Sequence, residues 1–269
     1  MSRRLKRAFS RAAAEGRAAL VAFVEAGDPD RETSLRIVEA LFDAGADVVE
    51  LGVPFSDPIA DGPVIQRAGE RALASGGGLP GALDLAAELR RRGRDGAVVL
   101  FGYANPILAM GEAAFAARAA ASGVDGVLVT DLPPEEARGL VSVLRRAGLS
   151  TVFLLAPTST PERIRRARGL SRGFVYLVSR PGVTGARTQL PPDLPELVAR
   201  VRQGGAGIPL AIGFGISTAE QVAEAARLGD GVVVGSALVS RVEAAVREGR
   251  DPVPGVAALC RELFEATRR

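Results

Sequence analysis

Eight short apolar runs recur along the 269-residue chain, each followed by a segment of helical periodicity, and this alternation constrains the fold more than any other feature. The runs are residues 19–24, 47–51, 98–101, 126–129, 151–155, 174–178, 208–212 and 231–234. They are continuous rather than alternating, so both faces of each strand must be buried, as a parallel sheet requires. Amphipathic helices are expected over 33–44, 80–92, 112–121, 134–147, 161–168, 194–203, 218–226 and 237–247. An extra helix over 3–14 is placed to close one end of the fold, and further ones over 64–74 and 256–267 follow strands 2 and 8. Eight βα units in about 250 residues fit a single (β/α)8 TIM barrel, one α/β domain over residues 1–269. A doubly wound open sheet is the alternative topology.

Composition narrows the chemistry by what it lacks. There is no histidine, and the only lysine is Lys6, in the Arg-rich N-terminal segment. A triad built on histidine and a zinc held by imidazoles are excluded. Imine chemistry needs a desolvated lysine, and Lys6 lies in a polar leader. Carboxylates, hydroxyls, arginines and backbone remain, and no metal site is expected. The net charge is only +3, aromatic residues make up 4% and tryptophan is absent, so a nucleic-acid surface is poorly supplied. The arginines, such as Arg165 and Arg166, read as solvated helix faces. With no long apolar segment, no apolar leader and one cysteine, Cys260, the chain reads as an unexported cytoplasmic protein.

Barrel enzymes work at the carboxyl ends of their strands. Strand 2 carries Glu50 inside an apolar run, a costly place for a charge without a role. The loop after it, rich in Pro, Gly and Ser, ends at a second acid, Asp61. Strand 1 leads to Glu25 and Asp28, strand 3 to Tyr103 and Asn105, and strand 4 to Asp131. Strand 6 contains Tyr176 and leads to Thr184 and Gly185. Strands 7 and 8 end in Gly213-Phe214-Gly215 and Gly235-Ser236, where backbone must approach a ligand closely. A helix opening at Ser236 offers free N–H groups to an anion, so phosphate binding is expected at this end. The competing readings are helix capping for Asp61, packing for Tyr103 and Tyr176, and loop ordering for Asp131.

Taken together, Glu50-Leu51-Gly52-Val53-Pro54-Phe55-Ser56-Asp57-Pro58, Ala60-Asp61-Gly62-Pro63, Asn105-Pro106, Asp131-Leu132-Pro133, Gly182-Val183-Thr184-Gly185-Ala186, Gly213-Phe214-Gly215-Ile216-Ser217 and Gly235-Ser236-Ala237 resemble the tryptophan synthase α-subunit family. The match runs in order over nearly the whole chain. The resemblance implies a lyase of tryptophan biosynthesis that cleaves indole-3-glycerol phosphate to indole and glyceraldehyde 3-phosphate. It implies Glu50 as acid/base and Asp61 as the carboxylate facing the indole nitrogen. Phe23, Ile65, Tyr103, Leu128, Tyr176, Thr184 and Phe214 would line the substrate site, and Gly185, Gly215, Gly235 and Ser236 would hold its phosphate. It implies an α2β2 heterotetramer with a β chain, contacted through Asp57, Asn105 and Pro106. No cofactor is expected in this chain, pyridoxal phosphate belonging to the β partner. Glu25 stands where the family more often has a hydroxyl residue. Two other functions stay open: a stand-alone indole-glycerol-phosphate lyase, and a non-catalytic subunit that activates a β partner.

Overall fold

The computed structural model describes residues 1–178, 190–205, 207–213 and 215–269. Eight strands, β1 (Ala19–Glu25), β2 (Val48–Gly52), β3 (Ala97–Gly102), β4 (Gly126–Val129), β5 (Ser150–Leu155), β6 (Val175–Val178), β7 (Leu210–Gly213) and β8 (Gly231–Val234), close into a parallel barrel in sequence order. Closure is made by β8 on β1, from Ala19 opposite Gly231 to Ala22 opposite Val234, which rules out the open sheet.

Around the barrel run α1 (Arg3–Ala14), α2 (Arg31–Asp43), α3 (Pro63–Ala74), α4 (Leu79–Arg91), α5 (Ala104–Met110), α6 (Glu112–Ala121), α7 (Arg138–Arg146), α8 (Pro161–Leu170), α9 (Leu194–Gln203), α10 (Ala219–Leu228), α11 (Ser236–Arg247) and α12 (Val253–Glu265). Paired helices follow β2 and β8, as expected. A pair also follows β3, because α5 forms between β3 and the helix expected over 112–121. Pro106 falls in its first turn, where a missing N–H costs nothing. The Ala104 N–H that opens α5 donates to Asp131 Oδ1 at 2.8 Å, so Asp131 orders this loop from the neighbouring strand end. Helix α7 starts at Arg138 rather than 134, since the Pro133 carbonyl accepts from both Glu136 and Ala137 in a tight turn before the helix proper.

The core has two layers. Side chains alternate across each strand, so one set packs outward under the helices and the other fills the barrel. The inner set includes Val21, Phe23, Val48, Val99, Phe101, Leu128, Tyr176 and Val233. Glu50 belongs to it by position, two residues beyond Val48 and in register with Phe23 and Val99. At the amino ends of the strands α1 closes the barrel, burying Leu5, Ala8, Phe9 and Ala12. The Phe9 ring sits 5.5 Å from that of Phe174.

Buried acids at this lower end are fully paired. Asp47, which immediately precedes β2, accepts from Arg17 at 2.5 and 2.9 Å, from Arg11 at 2.7 Å and from the Leu20 N–H at 2.9 Å. Asp125 accepts from Arg90 at 3.0 Å, from the Val98 N–H at 3.0 Å and from the Ser2 hydroxyl at 2.9 Å. Cys260 is a buried core thiol whose Sγ approaches the Leu41 carbonyl at 3.7 Å.

Candidate active site

Glu50 is fully buried in the middle of β2, and neither carboxyl oxygen has a hydrogen-bond partner among the described residues. A bare carboxylate there would lose its hydration with nothing in return. Burial therefore pushes its pKa up to about 8, and the group carries a proton at neutral pH.

Asp61 reaches the same space from the loop between β2 and α3. It accepts a hydrogen bond from the Tyr103 hydroxyl at 2.8 Å, and that hydroxyl in turn accepts from the Ala60 N–H at 3.0 Å. Tyr103 thus clamps the loop at two consecutive residues, with Phe55 packed on its ring at 5.2 Å. Burial raises the Asp61 pKa to about 6, against the lowering effect of the Tyr103 hydrogen bond. The capping alternative fails for Asp61: the residue before α3 is Gly62, and no side chain caps that helix.

The two acids border one cleft, open to solvent, that spans about 530 Å³ including the space at its mouth. Phe23, Ile65, Phe101, Tyr176 and Val233 make its apolar walls, and Gly215, Ile216, Gly235 and Ser236 line its other end. Phe23 and Phe101 meet edge to face, their centroids 5.2 Å apart. A methyl group on Gly213 would lie 2.5 Å from the Tyr176 hydroxyl, so glycine is what lets Tyr176 occupy this place. Helix α11 opens with no side-chain cap, leaving its first-turn N–H groups at the cavity end where Gly235 and Ser236 lie. Gly215, with φ of 81°, holds a left-handed conformation that suits glycine.

A third acid stands beside the pair. Glu25, at the end of β1, is buried and lines an adjoining cavity with Asp61, Phe55 and Tyr103. Desolvation first, and then the charges of Asp61 and Asp28, hold its pKa well above the carboxylate range. It fits only because its register partner is Gly52: a Cβ there would sit 2.3 Å from Glu25 Oε2.

Helix α3 is tied to its surroundings by ion pairs. Arg67 contacts both oxygens of Glu243 on α11, at 2.5 and 2.9 Å. Arg71 contacts both oxygens of Asp28, at 2.7 and 2.8 Å, and approaches Glu243 at 3.6 Å.

Of the residues singled out from sequence, Phe23, Glu50, Asp61, Ile65, Tyr176, Gly215, Gly235 and Ser236 line the one cavity. Tyr103 stands behind Asp61. Leu128 is fully buried in the barrel interior but does not line the cavity. Thr184, Gly185 and Phe214 lie outside the described residues. Asp57, Asn105 and Pro106 sit on the outer face of the rim, where Asp57 and Asn105 are exposed. Beside them Ile59 and Leu108 are 79% and 60% exposed. Phe101 and Val233 are wall residues that sequence reasoning missed. Their signal was parity, since each lies two residues along its strand from another inner position.

The tryptophan synthase alpha chain family model matches residues 9–268. The chain is 47% identical over 263 residues to the tryptophan synthase alpha chain of Nitrosococcus oceani, covering 98% of this chain and 97% of the relative. It is 52% identical over 240 residues to that of Citrifermentans bemidjiense, covering 89% of each. Among solved structures, a chain of Mycobacterium tuberculosis tryptophan synthase matches with a TM-score of 0.89 at 40% identity, covering all of both chains. The alpha chain from Legionella pneumophila matches with a TM-score of 0.89 at 35% identity, covering 99% of this chain and 97% of the other.

Proposed function

Since the chain belongs to the tryptophan synthase alpha chain family, we propose that Glu50 and Asp61 divide the work of its reaction, with residues 1–269 acting as one barrel domain. The reaction is cleavage of indole-3-glycerol phosphate to indole and glyceraldehyde 3-phosphate. The observation that carries this reading is a fully buried Glu50 without a hydrogen-bond partner among the described residues, facing one cavity together with a clamped Asp61.

Breaking the bond between indole C3 and the glycerol carbon needs somewhere for the electron pair to go. Protonating C3 turns the ring into an indolenine, whose C=N bond accepts that pair as the C–C bond breaks. Glu50, protonated at neutral pH, supplies the proton to C3. The positive charge that develops on the ring nitrogen faces the Asp61 carboxylate, fixed by Tyr103. Having given up its proton, the Glu50 carboxylate takes the one from the hydroxyl on the carbon being released. The aldehyde then forms, and the electron pair restores the aromatic indole. Phe23, Ile65, Phe101 and Tyr176 supply flat apolar walls for the ring. The N-terminus of α11, with Gly215, Gly235 and Ser236, holds the phosphate. Thr184, Gly185 and Phe214 are proposed to complete the substrate site, and Leu128 to back it.

The partner in this reading is a tryptophan synthase β chain in an α2β2 assembly. Pyridoxal phosphate belongs to that chain, and the α reaction needs no cofactor here. Asp57, Asn105 and Pro106, beside the exposed Ile59 and Leu108, are the proposed contact face. No helix among the described residues is long and apolar enough to cross a membrane, and the cytoplasm is the proposed location. The test is indole release from indole-3-glycerol phosphate, measured with and without a β chain. Release that rises on adding β supports both parts of the reading. No release under either condition sinks it.

A further inference from the structure

The substrate cleft continues beyond the acid pair. The adjoining cavity that Glu25 lines shares Phe23, Asp61, Ile65 and Phe101 with it, so the walls proposed for the indole ring run on past Asp61 into a side pocket. Glu50, Gly215, Gly235 and Ser236 are absent from the lining of that pocket. It therefore lies on the side of the ring away from the reacting carbon and the phosphate. It spans about 290 Å³ including the space at its mouth, against about 530 Å³ for the cleft, an extension that suits a substituent on the ring.

Most polar side chains around this pocket are engaged with the protein. The Tyr103 hydroxyl stands between Asp61 Oδ2 and the Ala60 N–H, at 2.8 and 3.0 Å. Gln66 Nε2 donates to the Asp61 carbonyl at 3.0 Å, and the nearby Asp28 is held by Arg71 at 2.7 and 2.8 Å. Glu25 is different. It is 5% exposed, and its carboxyl has no hydrogen-bond partner among the described residues. A Cβ on Gly52 would sit 2.7 Å from Phe23 Cζ as well as 2.3 Å from Glu25 Oε2, so the carboxyl and the tip of the wall ring meet over that glycine.

A buried polar group left unpaired is unfavourable, and it favours a ligand atom that pairs with it over an apolar atom of the same size. Glu25 keeps its proton, so its carboxyl can both accept and donate. Resting on the reading that Asp61 faces the ring nitrogen, we propose that Glu25 is a specificity-determining residue whose side pocket takes a hydrogen-bonding substituent of one heavy atom, a hydroxyl or an amino group, on the indole carbon next to that nitrogen. That carbon, C7, is the ring position beside Asp61 on the side away from C3. A 7-hydroxyindole ring pairs with Glu25, whereas a 7-methylindole ring leaves it bare.

The test compares ring release by the full chain from unsubstituted, 7-hydroxy- and 7-methylindole-3-glycerol phosphate. Hydroxyl and methyl are close in size, so the ratio of their kcat/KM values reads the pairing. Wild type should favour the hydroxyl by about tenfold, the worth of roughly one net hydrogen bond. Glu25→Leu should bring the ratio to about one or below, and Glu25→Gln, which can still donate and accept, should keep part of it. Each ratio is taken within one preparation, so a loss of stability cancels, and an intrinsic difference between the two rings is the same in every variant. Equal or reversed use of the two substituted substrates by wild type, or a hydroxyl preference that survives Glu25→Leu, overturns the subsite while indole release still supports the reaction. No release from any of the three overturns the reaction and the subsite with it.

Discussion

Asp47 and Glu50 are both buried acids, three residues apart, one just before β2 and one in its middle, and the protein treats them in opposite ways. Asp47 lies at the lower end and is enclosed by two guanidinium groups and a backbone N–H. Glu50 faces the upper cavity, equally removed from water, and has no hydrogen-bond partner among the described residues. The same cost of burying a charge is met below by ion pairing and above by keeping the proton on. An acid that must hold a fold together needs partners. An acid that must deliver a proton to carbon works best without them.

Exchanging the two acids for amides breaks the comparison most directly. Glu50→Gln should lower kcat by about a thousandfold, within the span typical of a lost general acid, while the melting temperature stays level or rises. Indole release and a thermal melt on the same preparation check this, and near-normal turnover would end the assignment. Asp47→Asn should do the reverse, leaving Arg17 buried with only the exposed Glu15 as counter-charge, at a cost of about 3 kcal/mol. Urea unfolding measures that loss, with activity per folded molecule unchanged at low temperature.

pH sharpens the contrast. Glu50 must be protonated and Asp61 ionised, so kcat/KM should fall above about 8 and below about 6. Stability responds in a definite direction. Between the ordinary value of 4.5 and about 8, folded Glu50 keeps a proton that the unfolded chain releases. Stability attributable to Glu50 is therefore present at low pH and lost as pH rises through that window, on the order of a few kcal/mol. Glu50→Gln should flatten this slope, and a pH series of urea midpoints on both proteins reads it. The smallest effect expected is that of Tyr103→Phe. Removing the hydroxyl should cost about tenfold in kcat/KM and move the acid limb upward, because that hydroxyl lowers the Asp61 pKa. An unmoved acid limb would detach Asp61 from it.

The barrel was legible because parallel strands buried on both faces must be written as unbroken apolar runs. Glu50 was legible for the same reason, as the charge that interrupts one. Phe101 and Val233 were harder, since facing the cavity rather than the packed interior depends on how far along the strand the barrel opens. Helix α5 was hidden by Pro106, whose meaning turns on whether it falls in a first turn or an interior one. The burial of Arg168 was invisible. On α8 its neighbours Arg165 and Arg166 are exposed while it is only 6% exposed, and Gly204 leaves it room: a Cβ there would stand 3.2 Å from Arg168 Cδ. A charge pattern read along one helix cannot tell which member another loop will cover.

The ion pairs of Arg67 and Arg71 have a mechanical consequence. Helix α3 begins two residues after Asp61, and α11 begins at the proposed phosphate cradle. Glu243 fastens one helix to the other. Asp61 and the cradle are therefore two jaws of a caliper with a locked hinge. A substrate is measured from end to end before it is bound. An analogue one carbon shorter, seated by its phosphate, should bring its ring up short of Glu50 and lose turnover more than affinity; equal losses in kcat and KM would mean the hinge is not locked.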